Sequence, residues 1–280
     1  MSIAYLNGVF LPLAEAKVSV LDRGFLFADG IYEVIPAYNG KLFLLEQHLQ
    51  RLAASLEAIF LQVQVDWQTI LQKLVEHNQN TNQIVYLQVT RGADSIRDHS
   101  IPMDIQPTVF AFCRPLEVLT LEQLTKGMRA ITLEDTRWKD CHIKTIALLP
   151  NVLLKQTATN AGYDEAILIN EGYAVECTSA NLFVVYNNIL MTTPKNPHIL
   201  GGVTRDLILQ LAQEHALPTQ EKMISIDELN NAQEIWLSGS IKEIRPIVQL
   251  NDNPVGDGHA GPLWQKMIAY YREYREKQTS

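Results

Sequence analysis

The chain has 280 residues, enough for one large domain or two of moderate size, and its hydrophobic fraction of 47% and charged fraction of 19% are ordinary for a globular protein. A formal net charge of −8 without a compensating basic block argues against a nucleic-acid or anionic-membrane surface. Cys113, Cys141 and Cys177 are odd in number and lack CxxC spacing, which gives no signal for a disulfide framework or a zinc site. The opening stretch MSIAYLNGVF soon reaches a polar turn and no run approaches a membrane span, so the expected location is the cytoplasm.

In chain order, Asn7-Gly8 joins two short predicted strands, because Asn-Gly suits the turn whose twist matches a hairpin. Residues 21–30 are turn-rich and aromatic, and lead through a strand at Ile31–Tyr38 to a second turn at Asn39-Gly40 and a return strand. Leu45, Leu49, Leu52, Leu56 and Ile59 recur at spacings of four and three, one face of an amphipathic helix, with His48, Arg51 and Ser55 on an adjoining side. A second helix is predicted over Trp67–His77, then strands at Ile84–Thr90 and Thr108–Cys113 around a polar loop that contains Arg91, Arg97 and His99. Pro115 and the polar stretch Thr120–Lys126 predict an N-terminal domain over 1–118, a linker over 119–125 and a C-terminal domain over 126–280 that carries Lys144.

The second half repeats the mixed pattern. A strand at Met128–Leu133 leads towards Lys144, and an amphipathic stretch over 152–158 leads away. Short strands are predicted at Glu165–Ile169, Tyr173–Cys177, Leu182–Tyr186 and Ile189–Thr192. A helix over Asp206–His215, a late strand from Glu234 and a helix over Leu263–Lys277 complete the chain. Hairpins with interspersed helices predict an α+β fold of antiparallel sheets and a β-meander with flanking helices, not a doubly wound one.

No dinucleotide fingerprint, P-loop, HExxH or nucleophile elbow is present. Five scattered features could carry chemistry instead. Lys144 lies between Ile143 and Thr145-Ile146-Ala147, and a lysine in apolar company must snorkel, pair, lose its charge or react. Gly201-Gly202-Val203-Thr204 runs into a helix N-terminus, where free amides and the dipole suit a phosphate; taken alone it reads first as a plain N-cap threonine after a glycine turn. Ser238-Gly239-Ser240 is a similar small-residue turn. Glu176 ends a strand where a carboxylate could keep a pyridine nitrogen protonated, or simply face water. Arg97 and His99 sit two apart, suited to a carboxylate or to solvent.

Taken together and in order, these features resemble the class-IV aminotransferases, which are fold-type IV pyridoxal 5'-phosphate enzymes, and within them the D-amino-acid aminotransferases. DRGFLFADGIYEV over 22–34 matches the N-terminal motif and EQHLQRL over 46–52 the phosphate-arginine helix. Arg137-Trp138, Cys141-His142-Ile143-Lys144-Thr145, Glu176 with Ser179-Ala180-Asn181-Leu182-Phe183, and GVTRD over 202–206 match the Schiff-base segment, the ring-nitrogen strand and the phosphate cup. Ala28 stands where the family usually has glycine, Cys177-Thr178 replaces a Gly-Ser, and Gly239-Ser240-Ile241 replaces a Ser-Thr-Thr run.

The resemblance implies a two-domain homodimer with the site between the domains at the dimer interface. It implies that Lys144 forms the Schiff base and shuttles the Cα proton, and that Arg51, Val203, Thr204 and Ser240 hold the phosphate. Glu176 pairs with the ring nitrogen, Tyr32 lines the substrate pocket, and Arg97 and His99 bind the substrate carboxylate. The implied reaction is ping-pong transamination between a D-amino acid such as D-alanine and a 2-oxo acid such as 2-oxoglutarate. Aminodeoxychorismate lyase, a branched-chain or (R)-amine aminotransferase, and a non-catalytic dimeric binding protein are the alternatives.

Overall fold

The computed structural model describes residues 2–79 and 81–280. The chain divides into two compact units: one holds the chain up to Val118 with Ile143–Leu148 and Gln278–Ser280, the other Leu119–His142 and Leu149–Lys277.

The first unit contains β1 (Ile3–Leu6), β2 (Val9–Pro12), α1 (Arg23–Phe27), β3 (Gly30–Tyr38), β4 (Lys41–Leu42), α2 (Leu45–Ala58), α3 (Trp67–Asn78), β5 (Gln83–Thr90) and β6 (Thr108–Pro115). Its six strands form an antiparallel sheet in the order β2-β1-β6-β5-β3-β4. Both expected Asn-Gly turns are present, with φ of 47° and 97° at Asn7 and Gly8 and of 51° and 75° at Asn39 and Gly40. Positive φ at both central residues matches the right-handed twist of the flanking strands. Leu52 and Leu56 of α2 and Leu71, Leu74 and Val75 of α3 pack against Ile31, Ile35, Val85, Leu87 and Val89 of the sheet, as the helical spacing expects.

Helix α1 lies within the turn-rich stretch, where the sequence predicts no helix. Five residues are too few to show a helical period, and the element depends on its ends. Asp22 Oδ1 accepts from the Gly24 amide at 2.7 Å, and Ala28 closes the helix at φ 55°. A Cβ on Gly24 would lie 2.3 Å from Thr90 Cγ2, so only glycine lets this turn rest on β5.

Ile143–Leu148 departs from the sequence expectation. It lies with the first unit, whereas the reading of 126–280 as one domain put Lys144 with the C-terminal half. Because β4 pairs with only Ala37 and Tyr38 of β3, the earlier part of β3 is left with an open edge. The segment fills it: Thr145 bridges Ile31, the Tyr32 amide donates to the Lys144 carbonyl at 3.0 Å, and the Ile146 amide donates to the Gly30 carbonyl at 3.1 Å. Ile143 packs into the first core. Backbone groups otherwise left unpaired, together with one apolar side chain, outweigh sequence proximity.

The second unit contains α4 (Leu121–Thr125), β7 (Met128–Glu134), α5 (Leu149–Asn160), β8 (Glu165–Asn170), β9 (Tyr173–Cys177), β10 (Asn181–Tyr186), β11 (Ile189–Thr192), α6 (Val203–Glu214), β12 (Thr219–Glu221), β13 (Ile224–Ser225), α7 (Ile226–Asn230), β14 (Glu234–Gly239), β15 (Glu243–Leu250), β16 (Asn253–Pro254) and α8 (Pro262–Thr279). The stretch read as a linker over 119–125 folds into α4, held by a reciprocal capping box between Thr120 and Gln123. The strands follow the order β12-β11-β10-β14-β15-β7-β8-β9-β13, with β16 beside β15. Most pairs are antiparallel, but β7–β8, β7–β15 and β11–β12 are parallel. Parallel neighbours need a crossover, and α5 and α6 lie within two of these connections. Val184, Leu237, Ile247 and Ile167 centre one core, while Leu154, Ala158, Ala166 and Val175 centre another.

Candidate active site

In the first unit, the face of α2 that carries His48, Arg51 and Ser55 meets β3 and the Lys144 segment. Glu33 of β3 is fully buried and receives Arg51 Nε on one carboxylate oxygen and Arg51 Nη2 on the other, each at 2.8 Å. His48 Nδ1 is 2.7 Å from the same carboxylate. Burial alone would raise the Glu33 carboxyl, but the charge and hydrogen bonds of Arg51, then those of His48, hold it well below the ordinary range. Burial pushes the His48 imidazole down, against the pull of Glu33. The Lys144 amide donates to Ser55 Oγ at 3.3 Å, and Lys144 Nζ lies 4.2 Å from the centre of the Tyr32 ring. Tyr32 stacks on Tyr86 at 5.8 Å. Lys144, Tyr32 and Arg51 thus occupy neighbouring elements of one unit, with Arg51 seated on a buried acid, Glu33, that sequence reasoning overlooked. Its signal is faint: a glutamate between Tyr32 and Val34 in an otherwise apolar strand.

In the second unit, Glu176 of β9 is buried and pairs with Arg137, which Asp135 grips bidentately at 2.9 and 2.8 Å. Its other oxygen accepts from Asn181 Nδ2 and from the Leu200 amide, both at 3.2 Å. Burial pushes the Glu176 carboxyl up to about 7, against the opposing charge of Arg137. Burial also opposes the Arg137 charge, yet its hydrogen bonds with Asp135 and the charge of Glu176 hold it firmly cationic.

Asn181 joins this carboxylate to both small-residue turns. Its Nδ2 donates to the Leu200 carbonyl at 2.7 Å, and on the sheet it sits opposite Ser238. A Cβ on Gly202 would lie 1.9 Å from Asn181 Oδ1, which makes Gly202 a close-approach glycine. Gly202 N-caps α6 without a side-chain cap, so the first-turn amides at Val203 and Thr204 remain available to an anion. Thr204 is buried there, and Ser240 occupies the turn just after β14. One asparagine therefore links the Glu176 carboxylate to the Leu200–Gly202 turn and lies opposite Ser238 on the sheet.

Arg97 and His99 are exposed in the loop between β5 and β6. The Arg97 guanidinium lies 4.8 Å from the centre of the Phe27 ring, and the His99 ring lies 5.3 Å from it. Among the described residues, neither forms a ring contact or ion pair with Tyr32 or Lys144.

The profile of the class IV amino-transferases matches residues 30–250. The chain belongs to that family. It is 35% identical to a D-alanine aminotransferase of Staphylococcus aureus (strain MSSA476) over all of both chains. It is 39% identical to a D-alanine aminotransferase of Bacillus licheniformis over 92% of this chain and 91% of that one. A solved T.th. branched-chain amino acid aminotransferase, with pyridoxamine 5'-phosphate, superposes with a TM-score of 0.91 at 25% identity, covering 99% of this chain and 94% of that one.

The chain is therefore a pyridoxal 5'-phosphate-dependent aminotransferase of the fold-type IV class. Each unit by itself carries groups of a kind that suits this cofactor. The first has the Lys144 amine; the second has the buried Glu176 carboxylate, fixed by three donors, and the first-turn amides of α6 after Gly202. Among the described residues, Ser238 Oγ, on β14 opposite Asn181, is buried without a hydrogen-bond partner. Motif reading singled out Lys144 and Glu176 but assigned no role to Asp135, Arg137 or Asn181, although Arg137 and Asn181 both lie inside the matched motifs.

Proposed function

We propose that this class IV aminotransferase moves the amino group of a D-amino acid such as D-alanine to a 2-oxo acid such as 2-oxoglutarate, in ping-pong order. The observation that carries the substrate reading is the 35% identity to a D-alanine aminotransferase over the whole of both chains. The Arg97-x-His99 pair, exposed and able to bind a carboxylate, supports it.

When bound, the cofactor supplies an electron sink for the developing Cα carbanion. Lys144 Nζ carries the cofactor and moves the proton at the substrate Cα, as a positioned amine does in general acid–base catalysis. Glu176 accepts the N–H of the ring nitrogen, with Arg137, Asn181 and the Leu200 amide keeping its carboxylate in place. Arg51, oriented by Glu33, holds the phosphate together with the amides of Val203 and Thr204, the Thr204 hydroxyl and Ser240. Tyr32 lines the substrate pocket. Arg97 and His99 hold the α-carboxylate, and the side on which they hold it selects the enantiomer whose Cα proton faces Lys144.

The protein acts as a homodimer in this reading, and the exposed Phe25 (75%), Phe60 (81%) and Met103 (97%) are apolar side chains for a second copy to cover. Light scattering of the purified protein should give twice the chain mass. No helix among the described residues is long and apolar enough to cross a membrane, in keeping with a cytoplasmic enzyme.

The deciding assay is D-alanine with 2-oxoglutarate, which should yield pyruvate and D-glutamate while L-alanine stays inert. Turnover of L-leucine alone, or of aminodeoxychorismate alone, would overturn the substrate reading. Purified enzyme should be yellow, and Lys144→Ala should abolish the lysine adduct trapped by borohydride. Arg97→Ala should raise KM for D-alanine or lower kcat/KM; unchanged constants would place the carboxylate site elsewhere.

A further inference from the structure

The loop that carries Arg97 and His99 is gripped at its base and at its tip by one short segment, Asp22–Asp29. At the base, Asp22 bridges Ala93, the Arg23 amide donates to the Gly92 carbonyl at 2.8 Å, and Thr108 Oγ1 donates to Asp22 Oδ2 at 2.6 Å. Both stems of the loop are thereby tied to Asp22, and the first to Arg23 as well. Between Arg97 and His99, the Asp98 carbonyl accepts from Arg23 Nη1 at 2.7 Å.

Arg23 is itself held rigidly. It is only 4% exposed, and its Nε donates to Asp29 Oδ2 at 2.9 Å. Arg91 holds the same carboxylate through Nε and Nη2 at 2.8 and 2.9 Å, and its Nη2 also donates to the Ile59 carbonyl at 2.7 Å. Asp29 therefore has a bidentate partner without Arg23, so neutralising Asp29 does not account for Arg23. The Arg23 guanidinium also lies 4.8 Å from the Phe27 ring centre, the ring that meets Arg97 at 4.8 Å and His99 at 5.3 Å. One charge-assisted hydrogen bond and one aromatic platform thus fix the backbone and both side chains of an otherwise exposed tripeptide.

We propose that Arg23 is a positioning residue for substrate carboxylate binding: through the Asp98 carbonyl and the Phe27 ring, it sets where Arg97 and His99 stand. The proposal rests on reading Arg97 and His99 as the carboxylate-binding pair. Neither Arg23 nor Phe27 needs to touch substrate for it to hold.

The test compares Arg23→Gln, Arg97→Ala and the double variant as holoenzymes, with D-alanine and 2-oxoglutarate. Arg23→Gln should raise KM for D-alanine about tenfold with kcat and the cofactor absorbance little changed, the split expected when ground-state binding alone is lost. In the Arg97→Ala background, Arg23→Gln should raise KM by a smaller factor than it does in the wild type, because only His99 is left to position. Independent effects that multiply in the double variant, or an unchanged KM in Arg23→Gln, would overturn the proposal. If Arg97→Ala itself leaves both KM and kcat/KM unchanged, the carboxylate reading fails first, and the proposal falls with it. Should Arg23→Gln not fold, Phe27→Leu serves instead. It should raise KM by a smaller factor that also shrinks in the Arg97→Ala background, and equal KM values with and without the ring would refute the positioning role.

Discussion

Asn181 Nδ2 stands 3.2 Å from the Glu176 carboxylate and 2.7 Å from the Leu200 carbonyl, while its Oδ1 occupies the space a Cβ on Gly202 would need. One buried amide thus couples the acid proposed for the ring nitrogen to the turn proposed for the phosphate. Asn181→Ala takes one donor from the buried Glu176 carboxylate and one from the part-buried Leu200 carbonyl, and should destabilise the protein by about 1–3 kcal/mol. It should also weaken pyridoxal 5'-phosphate binding, measured by absorbance titration of the cofactor-free enzyme. Asn181→Asp should be worse, because it sets a second carboxylate against Glu176. Wild-type affinity in both variants would remove Asn181 from the cofactor site.

The raised carboxyl of Glu176 makes stability depend on pH. The folded protein binds this proton more tightly than the unfolded chain does. The resulting stabilisation is complete below the ordinary carboxyl range and fades as pH rises through about 7. Without cofactor, wild-type stability should therefore fall between pH 5 and 8 relative to Glu176→Gln, by up to an amount on the order of 3 kcal/mol. Denaturant midpoints at several pH values measure the difference. Parallel pH profiles for the two proteins would contradict it.

Glu33 behaves in the opposite sense. Arg51 and His48 hold its carboxyl below the ordinary range despite burial, so its contribution is present above the unfolded carboxyl's value and lost as pH falls through the folded one. Wild type should lose more stability than Glu33→Gln on acidification below pH 5. At neutral pH, Glu33→Ala leaves the mostly buried Arg51 without its counter-charge and should destabilise by about 3–5 kcal/mol. Thermal unfolding checks both, and an acid-insensitive wild type would exclude the pairing as a source of stability.

Ala28 occupies the left-handed region at φ 55°, where its Cβ is crowded, and it ends α1 so that the following Asp29 meets Arg23 and Arg91. Glycine adopts that conformation without the steric cost. Ala28→Gly should stabilise the enzyme by about 0.5–1 kcal/mol, a rise of roughly 1–3 °C in Tm. A lower Tm in the variant would show that the Ala28 methyl contributes packing worth more than the strain.

Much of this protein was legible from its residues. The Asn-Gly turns, the Leu45–Ile59 periodicity and the alternating strands determine most elements, because side-chain period and turn geometry are local properties. Motifs in order from Asp22 to Asp206 point to the family, and with it to Lys144, Arg51, Glu176 and Thr204 as candidates. The parallel pairs of the second sheet were not legible, since strand direction depends on the crossovers through α5 and α6. Nor was the placement of the Lys144 segment against β3, since an unpaired sheet edge has no signature in sequence.

The partners of the candidate residues were decided by tertiary structure alone. Arg23 reaches Asp98 across 75 positions, Arg137 reaches Glu176 across 39, and Arg51 reaches Glu33 across 18. Each is a polar group whose worth depends on burial and on a few tenths of an ångström, and neither quantity is encoded by local pattern. Residue identity and order determined which chemistry the chain could carry. Folding decided which acid each arginine meets, and therefore which groups are held still enough to do it.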